Sequence, residues 1–388
     1  MPSPVQAFSF ISPTDIRFGP GTLSELPALL ARRGGATPLL VGDPGMVASG
    51  LLDRVAGVLG AAGVQPVLFS AVESDPDIAS VREGTRLASK AGCDSVVALG
   101  GGSAMDAAKA IAIMMTNPGE PRDYAGTDRL KVAPLPIIAI PTTAGTGSEL
   151  TIWSVLSDRT MGDKFGIGSP LLCPSHAILD PELTLSLPDA ISAATGMDAL
   201  THAIESLVCT ISSPFSAAHA EMAIRMIGEN LRTAVAQGSN LAARGNMLVA
   251  SALGGAAFNN TRLGYVHALS MPLGAKFKIP HGLVNAITLP AVMEFNLPGN
   301  LDAYARIASL LGERIEGLSL RDAARRSVDA VIALRQDIGI TQTLSDFGLT
   351  EDRFDEVIDE AMASGNCLVN PRQATRAEMR TILRAASG

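Results

Sequence analysis

DSVVALGGGSAMDAAKAIAI, residues 94–113, reads as a short apolar run that turns through three glycines into an Ala-rich helical segment. The run before Gly100 has the continuous Val, Ala and Leu character of a strand buried on both faces. Glycine lets the backbone approach a ligand closely, and the helix that follows offers free N–H groups and a partial positive charge. Gly100, Gly101 and Gly102 therefore suit a pyrophosphate. They equally suit a tight strand-to-helix turn, since the spacing is not GxGxxG.

Working outward, further apolar runs occur at TPLLVGD (37–43), QPVLFSAV (65–72), LPIIAIPT (135–142) and AILD (177–180). LLDRVAGVLGAAG and IASVREGTRLASKAG between them carry helical periodicity. Strand and helix in alternation predict a mostly parallel, doubly wound α/β sheet. A second loop, PTTAGTGSELT (141–151), follows the run LPIIAI and is rich in hydroxyls. Two such loops at neighbouring strand ends form the crevice where open α/β sheets bind cofactors. Asp43, ending PLLVGD, is placed either to accept hydrogen bonds from an adenosine ribose or to shape the turn GDPG. In the first case its charge favours NAD over NADP, because a carboxylate repels a 2′-phosphate.

From LPDAISAATGMDALTHAIESLV onward the strand pattern stops. SAAHAEMAIRMIGENLRTAVAQ, LDAYARIASLLGERI, LRDAARRSVDAVIALRQDIG and EDRFDEVIDEAMASG read as amphipathic helices. Pro188 suits the first turn of the first of them. The expected division is an α/β nucleotide-binding domain over residues 1–187 and an all-α domain over 188–388.

The chain has 388 residues, of which 47% are apolar. Gly, Pro or charge interrupts each apolar run before the roughly 18–20 residues that a spanning helix needs. MPSPVQAFSFISP shows no secretion signal, so a cytoplasmic protein is expected. The four cysteines show no Cys-x-x-Cys spacing, and the formal charge of −8 speaks against nucleic acid as a partner.

Only five histidines are present. Asp198 and His202 stand four apart in GMDALTHAIES, on one face of a helix. His267 and His281, expected on two loops, complete a candidate set of one carboxylate and three imidazoles. Such a set suits Fe(II), Zn(II), Ni(II) or Mn(II). His176 and His219 have no such partners and are expected in loops or at the surface.

GGGSAMDAAKA, PTTAGTGSELT, GMDALTHAIES and PHGLVNAITLP, in this order, resemble the iron-containing (group III) alcohol dehydrogenases, the family of lactaldehyde reductase and propanediol dehydrogenase. The resemblance runs from about residue 10 to the C-terminal NPRQATRAEMRTIL. It implies a Rossmann-like domain, a helical domain with the dehydroquinate synthase-like fold, an active site in the cleft between them, and at least a homodimer. It carries the metal ligands onto Asp198, His202, His267 and His281, with Fe(II) as the ion and Zn(II) as the alternative. It carries NAD contacts onto Asp43, Gly102, Ser103, Thr142, Thr143, Thr151, Lys164 and Leu183, beside Gly101 of the glycine turn. Asp75 stands where the family usually has Asn.

Other departures bear on substrate. Met271 replaces a histidine usual four residues after the third ligand. Arg262 stands where the family has glycine, and Lys276 and Lys278 replace aromatic or small polar residues. These three cations suggest a small alcohol or carbonyl substrate with an anionic group. Lys276 and Lys278 also fit a solvated loop, and Arg262 an ion pair. Trp153, at a family position near the nicotinamide, either narrows the pocket or packs in the core. Cys367 aligns with the border of the substrate entrance. The expected activity is a metal-dependent, NAD(H)-linked alcohol dehydrogenase or carbonyl reductase. A dehydroquinate synthase-like lyase and a non-catalytic nucleotide- or metal-binding protein are the alternatives.

Overall fold

All six residues of Ser95–Gly100 are buried, as are all those of Pro38–Val41 and Ile137–Pro141, which is why these runs read as continuously apolar. The computed structural model describes residues 7–388. In it the strands are β1 (Asp15–Phe18), β2 (Pro38–Val41), β3 (Val67–Phe69), β4 (Ser95–Gly100), β5 (Gly126–Thr127), β6 (Ile137–Pro141), β7 (Trp153–Asp158), β8 (Asp163–Gly168) and β9 (His176–Leu179). Six of them form a parallel sheet in the order β1-β9-β6-β4-β2-β3. Alternate residues feed opposite faces: Leu39, Val96, Ala98 and Ile137 pack on one, Leu40, Val97, Leu99 and Ile138 on the other.

The helices of this unit are α1 (Leu26–Arg32), α2 (Pro44–Ala48), α3 (Leu51–Ala61), α4 (Ile78–Ala91) and α5 (Gly102–Met114). After β2 the chain moves outward to β3, then crosses back to place β4 on the other side of β2. The point of reversal lies at the carboxyl ends of β2 and β4, where doubly wound sheets bind ligands. A small second sheet, β5-β8-β7, was not expected from the sequence. His176, expected near the surface, opens β9 and is 4% exposed.

The second unit is helical: α6 (Asp189–Val208), α7 (Pro214–Ala236), α8 (Leu241–Phe258), α9 (Tyr265–Phe277), α10 (His281–Asn296), α11 (Leu301–Leu310), α12 (Leu320–Asp337), α13 (Phe354–Met362) and α14 (Arg376–Ser387). Pro188 is the N-cap of α6 rather than part of its first turn. His267 and His281 sit on α9 and α10, correcting the expectation of loops. Both helices are largely buried and each contains a proline, Pro272 or Pro290, so neither shows the amphipathic stripe that announces a surface helix.

By contact the chain divides into Ile11–Thr143 with Gly147–Leu187, and Pro188–Gly388 with Ala144–Thr146 and residues 7–10. Among the described residues no helix is long and apolar enough to cross a membrane.

Candidate active site

At the carboxyl end of β4, Gly101 caps α5 without any side-chain hydrogen bond, leaving the first N–H groups of a 13-residue helix free of a capping side chain. Gly100 has φ +142°, and a Cβ there would lie 2.8 Å from the Ala104 Cβ and 3.2 Å from Asp43 Oδ2. A Cβ on Gly101 would lie 3.1 Å from Thr143 Oγ1. The glycines thus hold three strand ends close together: Asp43 after β2, the turn after β4, and Thr142 and Thr143 after β6.

Asp43 caps α2, accepting the Met46 N–H at 3.1 Å, so its role in shaping the turn is realised. Thr142 is 1% exposed, and its Oγ1 is buried without a hydrogen-bond partner. Ser103 lies half-buried in the first turn of α5, and Leu183 is buried beneath the sheet with Leu23 and Ile178. Lys164 on β8 forms an ion pair at 2.7 Å with Asp75, whose φ of +58° is a conformation Asp and Asn tolerate best.

Thr151 answers to Lys109, a residue sequence reasoning passed over. The Lys109 ammonium, fully buried on α5, donates to the carbonyls of Ser148 (2.7 Å), Thr151 (2.9 Å) and Trp153 (2.8 Å) and contacts both hydroxyls at 3.1 Å. Burial lowers its pKa, and Asp106 opposes the shift. Burial also raises Asp106 to about 6 and Glu149 to about 7, with Lys109 resisting both. The signal was there: one lysine in an otherwise Ala- and Ile-rich helix, three residues after an aspartate. Trp153 lays its indole against Gly168, where a Cβ would lie 2.5 Å from the ring.

The helical unit gathers the other candidates. Asp198 Oδ1 lies 3.9 Å from His202 Nδ1, 3.7 Å from His267 Nε2 and 3.6 Å from His281 Nε2. Donor atoms of Asp198, His267 and His281 all fall within 4.8 Å of one another, spacing that could hold a metal ion. His202 Nδ1 is buried without a hydrogen-bond partner, and its ring stacks on Phe258 at 4.5 Å. Burial would raise the Asp198 pKa, yet the imidazoles of His202, His281 and His267 hold it below the usual carboxylate range. Burial drives His202 down to about 3 against the pull of Asp198, so it is a neutral, lone-pair-bearing donor.

Two neighbours of this cluster were not found from the sequence. Asn285, one turn after His281, places Nδ2 at 2.6 Å from Asp198 Oδ1, 3.1 Å from His267 Nε2 and 3.2 Å from His281 Nε2. Glu205, seven residues after Asp198, lies 2.7 Å from His267 Nδ1. Helical spacing could have found both, since i+4 and i+7 continue the same face.

Arg262, before α9, is exposed with φ +64°, and the described residues offer it no ion pair. Its Nη1 would lie 2.9 Å from a Cβ on Gly365, on the turn that leads to Cys367. Lys276 is engaged by Glu360 at 3.1 Å, while Lys278 ends α9 in a left-handed conformation and stays exposed. Met271 lies half-buried in α9. Cys367 is 7% exposed, donates to the Ala361 carbonyl, and burial pushes its thiol up to about 11, so it is not a reactive thiolate.

The family described as iron-containing alcohol dehydrogenase matches residues 13–181, and its C-terminal counterpart matches 192–387. The 1,3-propanediol dehydrogenase of Klebsiella pneumoniae is 42% identical over 381 residues, 98% of each chain. A crystal structure of a 1,3-propanediol oxidoreductase superposes with a TM-score of 0.96, at 42% identity, over 98% of this chain and 100% of that one. Sulfoacetaldehyde reductase from Bifidobacterium kashiwanohense, solved in complex with NAD+, superposes with a TM-score of 0.89 at 33% identity over 99% of each. These relatives are dehydrogenases and reductases, which favours an oxidoreductase over the lyase and the non-catalytic alternatives. The chain belongs to the iron-containing alcohol dehydrogenase family.

Proposed function

We propose that this protein is an NAD-linked, metal-dependent dehydrogenase that reduces a small carbonyl compound bearing an anionic group. The observation that carries the proposal is the approach of three imidazoles to one buried carboxylate, with His202 Nδ1 left without a partner. A buried lone pair without a donor is costly unless a cation or a ligand takes it up. Asp198, His202, His267 and His281 fit a divalent ion, with Fe(II) as the proposed resident and Zn(II) as its competitor.

For NAD, the free amides of α5, the closely approached glycines and the unpartnered Thr142 hydroxyl fit a pyrophosphate and its riboses. Asp43, Gly101, Gly102, Ser103, Thr142, Thr143, Thr151, Lys164 and Leu183 are the proposed contacts. Asp75 acts through its ion pair with Lys164. When bound, the metal supplies Lewis acidity toward the substrate oxygen and NAD supplies or accepts the hydride. The chain itself supplies the fixed donors around each.

The anionic group is argued from Arg262. A left-handed φ costs an L-residue about 1–2 kcal/mol that glycine escapes, and strain of this kind is retained where function needs the side chain. Its guanidinium is exposed and free of carboxylates among the described residues. A relative that reduces sulfoacetaldehyde supports the same substrate chemistry. Met271 is proposed to bound the substrate pocket, and Cys367 to line its approach as a neutral thiol.

A homodimer is supported by β1, an edge strand whose Ile16 and Phe18 are 44% and 49% exposed. The four cysteines are free, in keeping with the cytoplasm.

Steady-state NADH oxidation by metal-loaded protein tests the proposal. Arg262→Gly should raise KM for an anionic aldehyde at least tenfold more than for a neutral one of equal size, and equal effects on both would remove the anionic group from the proposal. His267→Ala should abolish turnover while NADH still binds. Turnover retained in that variant would refute the ligand set.

A further inference from the structure

Glu205 is fully committed to one arrangement. Its side chain is 3% exposed; Oε1 accepts the Val266 N–H at 2.7 Å, and Oε2 lies 2.7 Å from His267 Nδ1. Val266 lies in the first turn of α9, where N–H groups have no acceptor within the helix. One carboxylate of α6 therefore caps α9 and grips the imidazole that α9 presents. Gly264 leaves the room for it, since a Cβ there would lie 2.8 Å from Oε1.

A carboxylate that accepts from Nδ1 fixes a proton on that nitrogen, which makes Nε2, 3.1 Å from Asn285 Nδ2 and 3.7 Å from Asp198 Oδ1, the nitrogen that an ion would take. Glu205 thus meets His267 on the nitrogen turned away from Asp198. The charge count changes as well: with Asp198, Glu205 supplies the second negative charge beside a dication.

We propose that Glu205 is a positioning residue of the metal centre, which sets the tautomer of His267 and thereby the affinity for the ion. This inference rests on the ligand set proposed above. In E205Q the carboxamide oxygen can keep the Val266 N–H bond, whereas its nitrogen can only donate to Nδ1. The imidazole proton is then driven to Nε2, the atom that must be bare to bind a metal.

The test uses the full-length protein stripped of metal, with Zn(II) affinity measured by chelator competition and the visible spectrum recorded on Co(II) loading. E205Q should bind Zn(II) roughly 10–100-fold more weakly and show shifted Co(II) bands, with little change in the Tm of the metal-free protein. Wild-type affinity with a superimposable Co(II) spectrum would overturn the proposal. If E205Q does not fold, E205D keeps the charge but withdraws it by one methylene. About fivefold weaker binding is then expected, and unchanged binding again overturns the idea. His267→Ala, measured alongside, separates the two failures. If it binds Zn(II) like the wild type, the ligand set is wrong; if it loses binding while E205Q does not, only the role of Glu205 is wrong.

Discussion

Gly282→Ala should weaken the metal centre without replacing a ligand. Gly282 is the second residue of α10, directly after His281. A Cβ there would lie 2.5 Å from the Ala194 carbonyl oxygen and 2.9 Å from its carbon, both in the backbone of α6. Backbone inside a helix cannot step aside, so relief to an ordinary contact of roughly 3.4 Å requires α10 to move by about 0.9 Å. His281 rides on the same turn, while Asp198 lies one turn along α6 from Ala194. Metal–ligand bonds tolerate about 0.2 Å, so the shift should weaken binding about 10–100-fold, or about 1.4–2.8 kcal/mol. Overpacking should cost a further 1–3 kcal/mol or so of folding stability. Isothermal titration with Zn(II) and calorimetric unfolding of the metal-free protein read the two effects. Gly57→Ala is the control, because a Cβ at that helix position meets nothing within 4 Å. If Gly282→Ala binds Zn(II) as tightly as Gly57→Ala does, the close approach of α10 to α6 does not position His281.

Glu149→Gln tests the buried charges beside Lys109. Burial raises the Glu149 pKa to about 7. A raised carboxyl stabilises nothing above its folded pKa: the unfolded chain ionises near 4.5, so wild-type stability falls as pH climbs from there through 7. The variant should match the wild type near pH 4 and exceed it by up to about 3 kcal/mol above pH 7. A Tm difference that does not vary with pH would contradict this. Thr142→Val removes the unpartnered hydroxyl while preserving shape. The protein without cofactor should be unchanged or slightly more stable, and NADH binding about fivefold weaker, worth about 1 kcal/mol. Weaker folding with unaltered NADH affinity would show that the hydroxyl serves the fold instead.

The parallel sheet was legible because β2, β4 and β6 are buried throughout, and continuous apolar runs bounded by Gly or Asp have few other readings. β8 escaped notice because DKFGIG opens with two charges and holds two glycines. Those glycines make sense only once Trp153 is seen lying over Gly168, a contact between strands that no single segment encodes. α9 and α10 were misread as loops for the opposite reason, being too deeply buried to alternate. At the site, the placing of Asp198 and His202 on one helix was legible from their spacing of four. Glu205 was hidden in HAIES, where an acid late in a helix resembles a solvated residue, and Lys109 was hidden by the expectation that lysine stays in water. Their partners lie 61 and 39 or more residues away in sequence. No periodicity within one segment spans such distances.

The tripeptide Ala144–Thr146 has a consequence for inheritance. The chain passes between its two units at residues 10–11, 143–144, 146–147 and 187–188, and Gly145 belongs with the helices, where a Cβ would lie 2.8 Å from the Thr195 Cβ. A recombinant joined once, at residue 188, would receive the helices of one parent and the tripeptide of the other. Hybrids among related dehydrogenases should therefore survive best when residues 144–146 travel with 188–388, a linkage that a single crossover cannot provide.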